Sequence, residues 1–448
     1  MNRYPFYYYL SLILFGVLNV VFWYYLINKT SASKSVAKNN NALTSGRQSI
    51  TIGEHGKYRL PIEEADIITD DDERQVVLNL VNIAIKDSVV RVDEFKKLFS
   101  KEFDTTKYTL LYADSNINYL QVYVPEADRQ NFKKSVKTKL SGMDLLVWDE
   151  VLFSRSNGNA KTEAAENLWH LNNINVNPYD YQNLGSGIII AVIDNGFDLQ
   201  HPSLVGRIVS PYNAFDGTSN VSPGSVNHGS HVASIAVGNS SVIKGVCGSC
   251  KLMPIQIEDP NGYTSSSYII RGLLYAIKND ADVVNLSLGS FSPSETIPLE
   301  IQEDYIRNGA LDETAFWKEL FAYARENNTI CVIAAGNSNL LTGFDPFQRS
   351  EFTIKVGALD KQGQVASFSN HGNYTTLFAP GVDIIGAKPN NRMERLDGTS
   401  MAAPIVAGYL GLLKAKRPQA TSEQLMEHLL LNTDVSHGVR ILRNKNLN

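Results

Sequence analysis

Cysteine is scarce in this chain, and so is any excess of charge. Three cysteines in 448 residues exclude a disulfide-dense scaffold. Cys247 and Cys250 form a lone C-x-x-C with no second pair, a spacing that argues against a zinc site. A tight local disulfide and two plain buried thiols both stay open. Cys331 lies in the apolar run Thr329-Ile330-Cys331-Val332-Ile333 and reads as a core residue. The net charge of -5 carries no basic footprint, so nucleic acid is excluded as a partner.

The N-terminal end is different. Residues 5–27 are almost wholly apolar, with Tyr and Trp near both ends. At ~1.5 Å per residue the run spans roughly 34 Å, enough to cross a bilayer core, and the aromatic ends suit interfacial belts. The expectation is a transmembrane anchor over residues 1–28, with the membrane as a partner. A cleaved signal peptide, which would make the protein secreted, has a shorter apolar core; Ser31-Ala32-Ser33 is a weak site for such a cut. Arg3 before the span and Lys29, Lys34 and Lys38 after it favour a body on the inside. The chemistry reached below favours the opposite, a membrane-anchored body outside the cytoplasm, at the cell surface or in a periplasm. Residues 29–74 read as a linker, first rich in Ser, Asn and Lys, then acidic and weakly patterned.

Between residues 75 and 153 the periodicity switches in a definite order. Residues 76–85 read as a strand, and Val92, Phe95, Leu98 and Phe99 have helical spacing. Residues 108–112 and 119–124 alternate as strands, 127–140 form a polar helix with a thin apolar stripe, and Leu145–Phe153 is a last strand. The order βαββαβ predicts a small ferredoxin-like α+β unit over residues 75–156. Small polar residues follow, and 157–166 are expected to be an exposed, cleavable linker. From residue 167 to 448 the composition changes. Gly187-Ile188-Ile189-Ile190-Ala191-Val192-Ile193 is continuously apolar, as in a strand buried on both faces. Similar runs recur at 252–257, 283–286, 329–334 and 352–356 with helical segments between them. That is an α/β domain on a mostly parallel sheet, whose sites form at the carboxyl ends of the strands.

Four polar segments sit at such ends. Asp194 follows the first strand in Asp194-Asn195-Gly196, where a turn or cap aspartate is the bland reading. His228 opens the small-residue helix of His228-Gly229-Ser230-His231-Val232-Ala233, where a capping or core histidine would serve. Asn337 follows the strand ending Ala334-Ala335-Gly336, a place for a turn asparagine. Ser400 begins the apolar helix of Gly398-Thr399-Ser400-Met401-Ala402-Ala403-Pro404. Most serines there are caps, but the positive helix end also stabilises developing negative charge. Pro404 is expected in that helix's first turn, where a missing N–H costs little. Each bland reading stands alone; the four together, in this order, do not.

These segments resemble the subtilisin-like serine peptidases, the subtilases, from about Trp169 to Ser436. The aspartate, histidine and serine motifs match, with Ser230 where Thr is usual, and they follow the order Asp, His, Ser. The resemblance implies a serine endopeptidase in which Ser400 attacks, His228 moves the proton, Asp194 orients the imidazole and Asn337 binds the oxyanion. It implies that Ser287, Leu288 and Gly289 form the strand that pairs with an extended polypeptide substrate. It also implies that the upstream unit is a prodomain that inhibits the enzyme and is removed by self-processing. No cofactor is required for that chemistry. Structural calcium is in doubt, because Ser203 stands where family members carry an acid after His201-Pro202. A longer stretch at residues 290–328 carries Glu295, Glu300, Glu303, Asp304, Asp312 and Glu313. It reads first as a solvated face and second as an overhang on the cleft that favours basic substrates. Two rival readings are a catalytically silent binding protein on the same fold and a transpeptidase. The absence of G-x-S-x-G disfavours a lipase-type hydrolase.

Overall fold

The computed structural model describes residues 61–448 apart from 71, 73, 87–90, 155–167, 291–295, 437, 446 and 448. Its N-terminal part is built on strands β1 (Ile67–Thr69) and β2 (Gln75–Ile85), helix α1 (Val92–Glu102), strands β3 (Thr109–Asp114) and β4 (Tyr119–Tyr123), helix α2 (Arg129–Lys139) and strand β5 (Leu145–Phe153). α1 buries Val92, Phe95 and Phe99, and α2 buries Phe132 and Val136. These residues, spaced three and four apart, share one helical stripe. Both stripes pack on one face of the sheet, against Val81, Ile83, Leu120 and Val122.

The larger part opens with helix α3 (Trp169–Asn173), strands β6 (Ile189–Asp194) and β7 (Tyr212–Asn213), helix α4 (Gly229–Val237), and strands β8 (Lys251–Gln256) and β9 (Thr264–Ser265). It continues with helix α5 (Ser266–Lys278), strand β10 (Val283–Leu286), helices α6 (Leu299–Asn308) and α7 (Leu311–Glu326), and strands β11 (Ile330–Ala334), β12 (Thr353–Leu359) and β13 (Leu377–Pro380). The hairpin β14 (Ile384–Lys388) and β15 (Arg392–Leu396) leads to helices α8 (Thr399–Lys416) and α9 (Ser422–Leu431) and the last pair, β16 (Thr433–Ser436) and β17 (Val439–Leu442). A nine-stranded sheet runs in the order β16-β17-β13-β12-β11-β10-β6-β8-β7. It is parallel except for β16 on β17. β6, β10 and β11 are apolar save Asp194 at the end of β6 and Asn285 within β10, because helices cover both of their faces. On one face Ile190, Val192 and Val332 pack with Val232 of α4 and Ile405 of α8. On the other, Ile193, Leu286 and Ile333 pack with α5 and α7.

Three expectations need correction. A self-standing ferredoxin-like prodomain is not seen. The upstream strands belong to a six-stranded sheet in which β1 pairs with β2 and the order runs β3-β4-β2-β5-β9, so a strand of the larger part closes it. The described residues, from 61 on, form one unit, because the second face of that sheet is apolar and needs cover. Trp148 and Tyr119 pack, tilted, against Phe316 of α7 at ring separations of 4.5 and 5.4 Å. The expected membrane-spanning helix falls on residues 5–27, outside the described residues. Among those described, no helix is long and apolar enough to cross a membrane, so the membrane partner and the membrane-anchored location find no support in the described residues. Finally, residues 61–74, read as the end of a linker, carry β1, and the buried Ile62 donates its N–H to Asp259 at 2.7 Å. Too few apolar residues mark that segment for periodicity to show it.

Candidate active site

Asp194 is the last residue of β6, and His228 immediately precedes α4. Both are buried. His228 Nδ1 lies 2.8 and 2.9 Å from the two carboxylate oxygens. An imidazole that donates Nδ1–H to a carboxylate keeps Nε2 as an acceptor when neutral. That Nε2 is buried and has no hydrogen-bond partner among the described residues. Asn195 ties the two elements together. Its Oδ1 accepts the Gly229 N–H at 3.0 Å and its Nδ2 donates to the Val226 carbonyl at 2.5 Å. Gly229 permits the approach: a Cβ there would stand 3.1 Å from the Asp194 Cβ.

Ser400 is the second residue of α8, buried at the helix N-terminus. Its Oγ donates to the Ser287 carbonyl at 3.3 Å. Pro404 is not in the first turn, as expected, but is the sixth residue of the helix. The N–H it lacks is the one that would bond the Ser400 carbonyl four residues back. Ser287 Oγ supplies the missing donor at 2.9 Å and itself accepts from Asn285 Nδ2 at 2.9 Å. The proline therefore stitches α8 to the end of β10.

Asn337, half-buried past the end of β11, gives its Oδ1 to two donors of Thr399, the N–H at 2.8 Å and the hydroxyl at 2.9 Å. The Thr399 hydroxyl also accepts the Gly336 N–H at 3.1 Å. With Oδ1 so engaged, the network assigns the amide Nδ2 as the outward donor. Thr399 is thus a site residue that the sequence motif contained but whose task only geometry exposes.

Ser287, Leu288 and Gly289 follow β10, and Gly289 is paired. Ser154 donates its N–H to the Gly289 carbonyl at 2.8 Å and accepts the Gly289 N–H at 3.2 Å, an antiparallel bridge. On its other side the end of β5 pairs Leu152 with Ser265 and Phe153 with Thr264. A peptide strand thus lies between two strands of the larger part, and Phe153 and Ser154 line one small cavity with Asp194, Asn195 and Leu288.

The acidic stretch divides. Glu300, Glu303 and Asp304 are exposed, as a solvated face should be. Asp312 and Glu313 instead face the N-terminal sheet. Asp312 pairs with Lys137 and accepts the Val147 N–H at 3.0 Å, and Glu313, almost fully buried, pairs with Arg74 at 2.5 Å. The hydroxyl of Ser203, which stands where family members carry an acid, is 2.8 Å from His201 Nδ1. Cys247 and Cys250 form a disulfide.

A model of the subtilase family matches residues 185–445. A thermophilic serine proteinase of Bacillus sp. (strain AK1) is 35% identical over 242 residues, covering 53% of this chain and 55% of that protein. Subtilisin E of Bacillus subtilis (strain 168) is 34% identical over 260 residues, covering 55% and 60%. The chain thus spans little more than half the length of these relatives. The crystal structure of fervidolysin from Fervidobacterium pennivorans, described as a keratinolytic enzyme related to subtilisin, superposes with a TM-score of 0.65 at 22% identity. That match covers 88% of this chain and 63% of that one, and it speaks for the fold alone.

Proposed function

The chain belongs to the subtilase family, and from that premise we infer that it is a serine endopeptidase that hydrolyses peptide bonds through an acyl-enzyme. The observation that carries this reading is the buried Asp194–His228 pair, whose Nε2 is left as an acceptor with no partner among the described residues. Ser400 lies at the N-terminus of α8, the helix that packs along α4.

Ser400 Oγ leaves the Ser287 carbonyl, passes its proton to His228 Nε2 and attacks the carbonyl carbon of the scissile bond. Asp194 holds the Nδ1–H tautomer and stabilises the imidazolium that forms. The Asn337 amide and the Ser400 N–H at the positive end of α8 take the negative oxygen. His228 then hands its proton to the leaving amine. Water repeats the sequence in reverse and frees the acid. The substrate backbone pairs with Ser287, Leu288 and Gly289, as Ser154 already does with Gly289. On this reading the end of β5 blocks the chain's own cleft, and self-cleavage between residues 153 and 169 releases it.

The test compares the full chain with its Ser400→Ala variant by gel and mass spectrometry. A cut in that interval, present only with Ser400 intact, is the expected result. Two uncut chains, together with no fluorophosphonate labelling of Ser400, would sink the reading and favour a silent binding protein. Capture of the acyl group by an added amine, in place of water, would mark a transpeptidase.

A further inference from the structure

Asp345 lies beneath the cleft and belongs to none of the steps above. β10 and β11 are parallel neighbours, and their continuations, residues 287–290 and 335–337, form two walls beside Ser400. Asp345 Oδ2 accepts the Ser290 N–H on one wall at 2.6 Å. Its Oδ1 accepts the Phe347 N–H at 3.4 Å, opening the turn Pro346–Arg349. Gln348 of that turn donates to the Ala334 and Ala335 carbonyls of the other wall at 2.9 and 3.1 Å. The carboxylate therefore sits on a floor that joins both walls. Gly289 has no side chain to cover it: a Cβ there would stand 3.5 Å from Asp345 Oδ2.

This acid is buried and lacks a counter-ion. Asp345 is 4% exposed. No Lys, Arg or His among the described residues makes an ion pair with it. Arg349, which feels its charge, spends its donors on the Gly343, Phe344 and Gly309 carbonyls and the Thr314 hydroxyl. Ser290 Oγ, 9% exposed, is buried with no hydrogen-bond partner among the described residues. Burial above all, and then the nearby Glu313, pushes the Asp345 carboxyl up to about 6, against the pull of the Ser290 N–H. A buried carboxylate without a cation is expensive.

A substrate that pairs with Gly289 as Ser154 does brings its residue two positions on opposite Ser287, because antiparallel partners advance in opposite directions. Ser287 is where the Ser400 hydroxyl rests, so that substrate residue donates the carbonyl to be cut. We propose that Asp345, with Ser290 Oγ, receives the cationic side chain of that residue, so the enzyme selects Arg or Lys immediately before the scissile bond. The proposal rests on the peptidase reading and assigns its specificity toward other chains; by the same register the chain's own segment offers Ser156, so its single self-cleavage proceeds without this pair.

The experiment uses the full chain after self-processing and peptides alike except at that residue, which is Arg, citrulline or Leu. At pH 8 the Arg peptide is cut with a kcat/KM about 30-fold or more above citrulline, the scale of a buried charge pair broken on one side. Asp345→Asn brings that ratio close to one. In the unaltered protein the ratio also falls as pH is lowered from 8 to 5, through the ionisation of Asp345 near 6, which keeps the test open should the variant misfold. Equal cleavage of all three peptides, a preference for Arg that survives Asp345→Asn, or a ratio that ignores pH would each overturn the proposal. Cleavage of none, with Ser400 inert to fluorophosphonate, would instead overturn the peptidase reading and this inference with it.

Discussion

Ser287 and Ser400 exchange two hydrogen bonds. The Ser287 hydroxyl donates to the Ser400 carbonyl at 2.9 Å, and the Ser400 hydroxyl donates to the Ser287 carbonyl at 3.3 Å. The first bond exists because Pro404 cannot supply the helix donor. Ser287→Ala should therefore leave a buried carbonyl without that partner and cost about 1–3 kcal/mol of stability. Adding Pro404→Ala restores an N–H at the helical position, so the double variant should recover most of the loss. Denaturant melts of the four proteins, made on the Ser400→Ala background to prevent self-digestion, check this. A double variant that is the sum of the two singles would contradict the coupling.

The oxyanion and the imidazole give separable kinetics. Asn337→Ala should lower kcat by about 10²–10³ with KM little changed, the range known for this kind of donor in a subtilisin. Thr399→Val removes one of the two Thr399 bonds that orient Asn337 and should lower kcat by about 10-fold, since one of two anchors remains. Asp194→Asn should cost about 10⁴, because an amide favours the wrong imidazole tautomer. Steady-state rates on one peptide separate the three; a rise in KM alone at Asn337 would place that residue in ground-state binding instead.

How much of this was legible beforehand follows from what kind of signal each residue leaves. The doubly buried strands show as unbroken apolar runs, and β6, β8, β10, β11 and β12 lie where those runs fall. Asp194, His228, Asn337 and Ser400 show because each stands at a strand or helix end inside a dense motif. Pro404 was placed a turn too early, since the helix start depends on Thr399 and not on the apolar pattern. Arg74 pairs with Glu313 across 239 residues of chain, and no local pattern marks a partner that distant. Asp345 was invisible for the opposite reason. Asp345-Pro346 reads as an ordinary turn opening, and only the closeness of Gly289 and Ser290 gives its carboxylate another meaning.

The Arg74–Glu313 pair should decide how long the N-terminal part stays attached once cut. Burial works against the Arg74 charge, but Glu313, Tyr305 and Asp70 more than offset it and hold the guanidinium's pKa above its ordinary value. Glu313 also accepts the Trp317 indole N–H at 3.2 Å. Removing one partner of such a pair strands the other charge, at roughly 3–5 kcal/mol. Arg74→Ala should accordingly speed release of the cleaved N-terminal fragment by about 100-fold or more, as read by size-exclusion chromatography and the return of peptidase activity. Arg74→Ala with Glu313→Gln should release more slowly than Arg74→Ala alone, because no buried charge is then left bare. A release rate indifferent to Arg74 would show that β5 in the cleft carries the attachment.

Acid should loosen the whole fold before it protonates most carboxylates. His170 and His231 are fully buried, and their Nδ1 atoms have no hydrogen-bond partner among the described residues. Burial, with the charges of Arg395 and His231 behind it, lowers His170 to about 3. Burial again, opposed by Glu394 and helped by His228, lowers His231 to about 4. His231 cannot escape, since its Nε2 is 3.2 Å from the Glu394 carbonyl and its ring sits where a Cβ on Gly386 would come within 2.6 Å of it. The unfolded chain takes these protons near pH 6.5, and the folded chain refuses them until about 4 and 3. Stability is thus complete above pH 6.5 and falls as pH drops toward 4, by roughly 1–2 kcal/mol for each histidine at pH 5. Denaturant titrations of the Ser400→Ala protein at pH 7 and pH 5 should differ by roughly 2–4 kcal/mol for the pair. Equal stability at the two values would falsify the neutral, buried state of both rings. A loss halved by His231→Asn would assign its share to the hairpin that holds α4, and with it His228, in place.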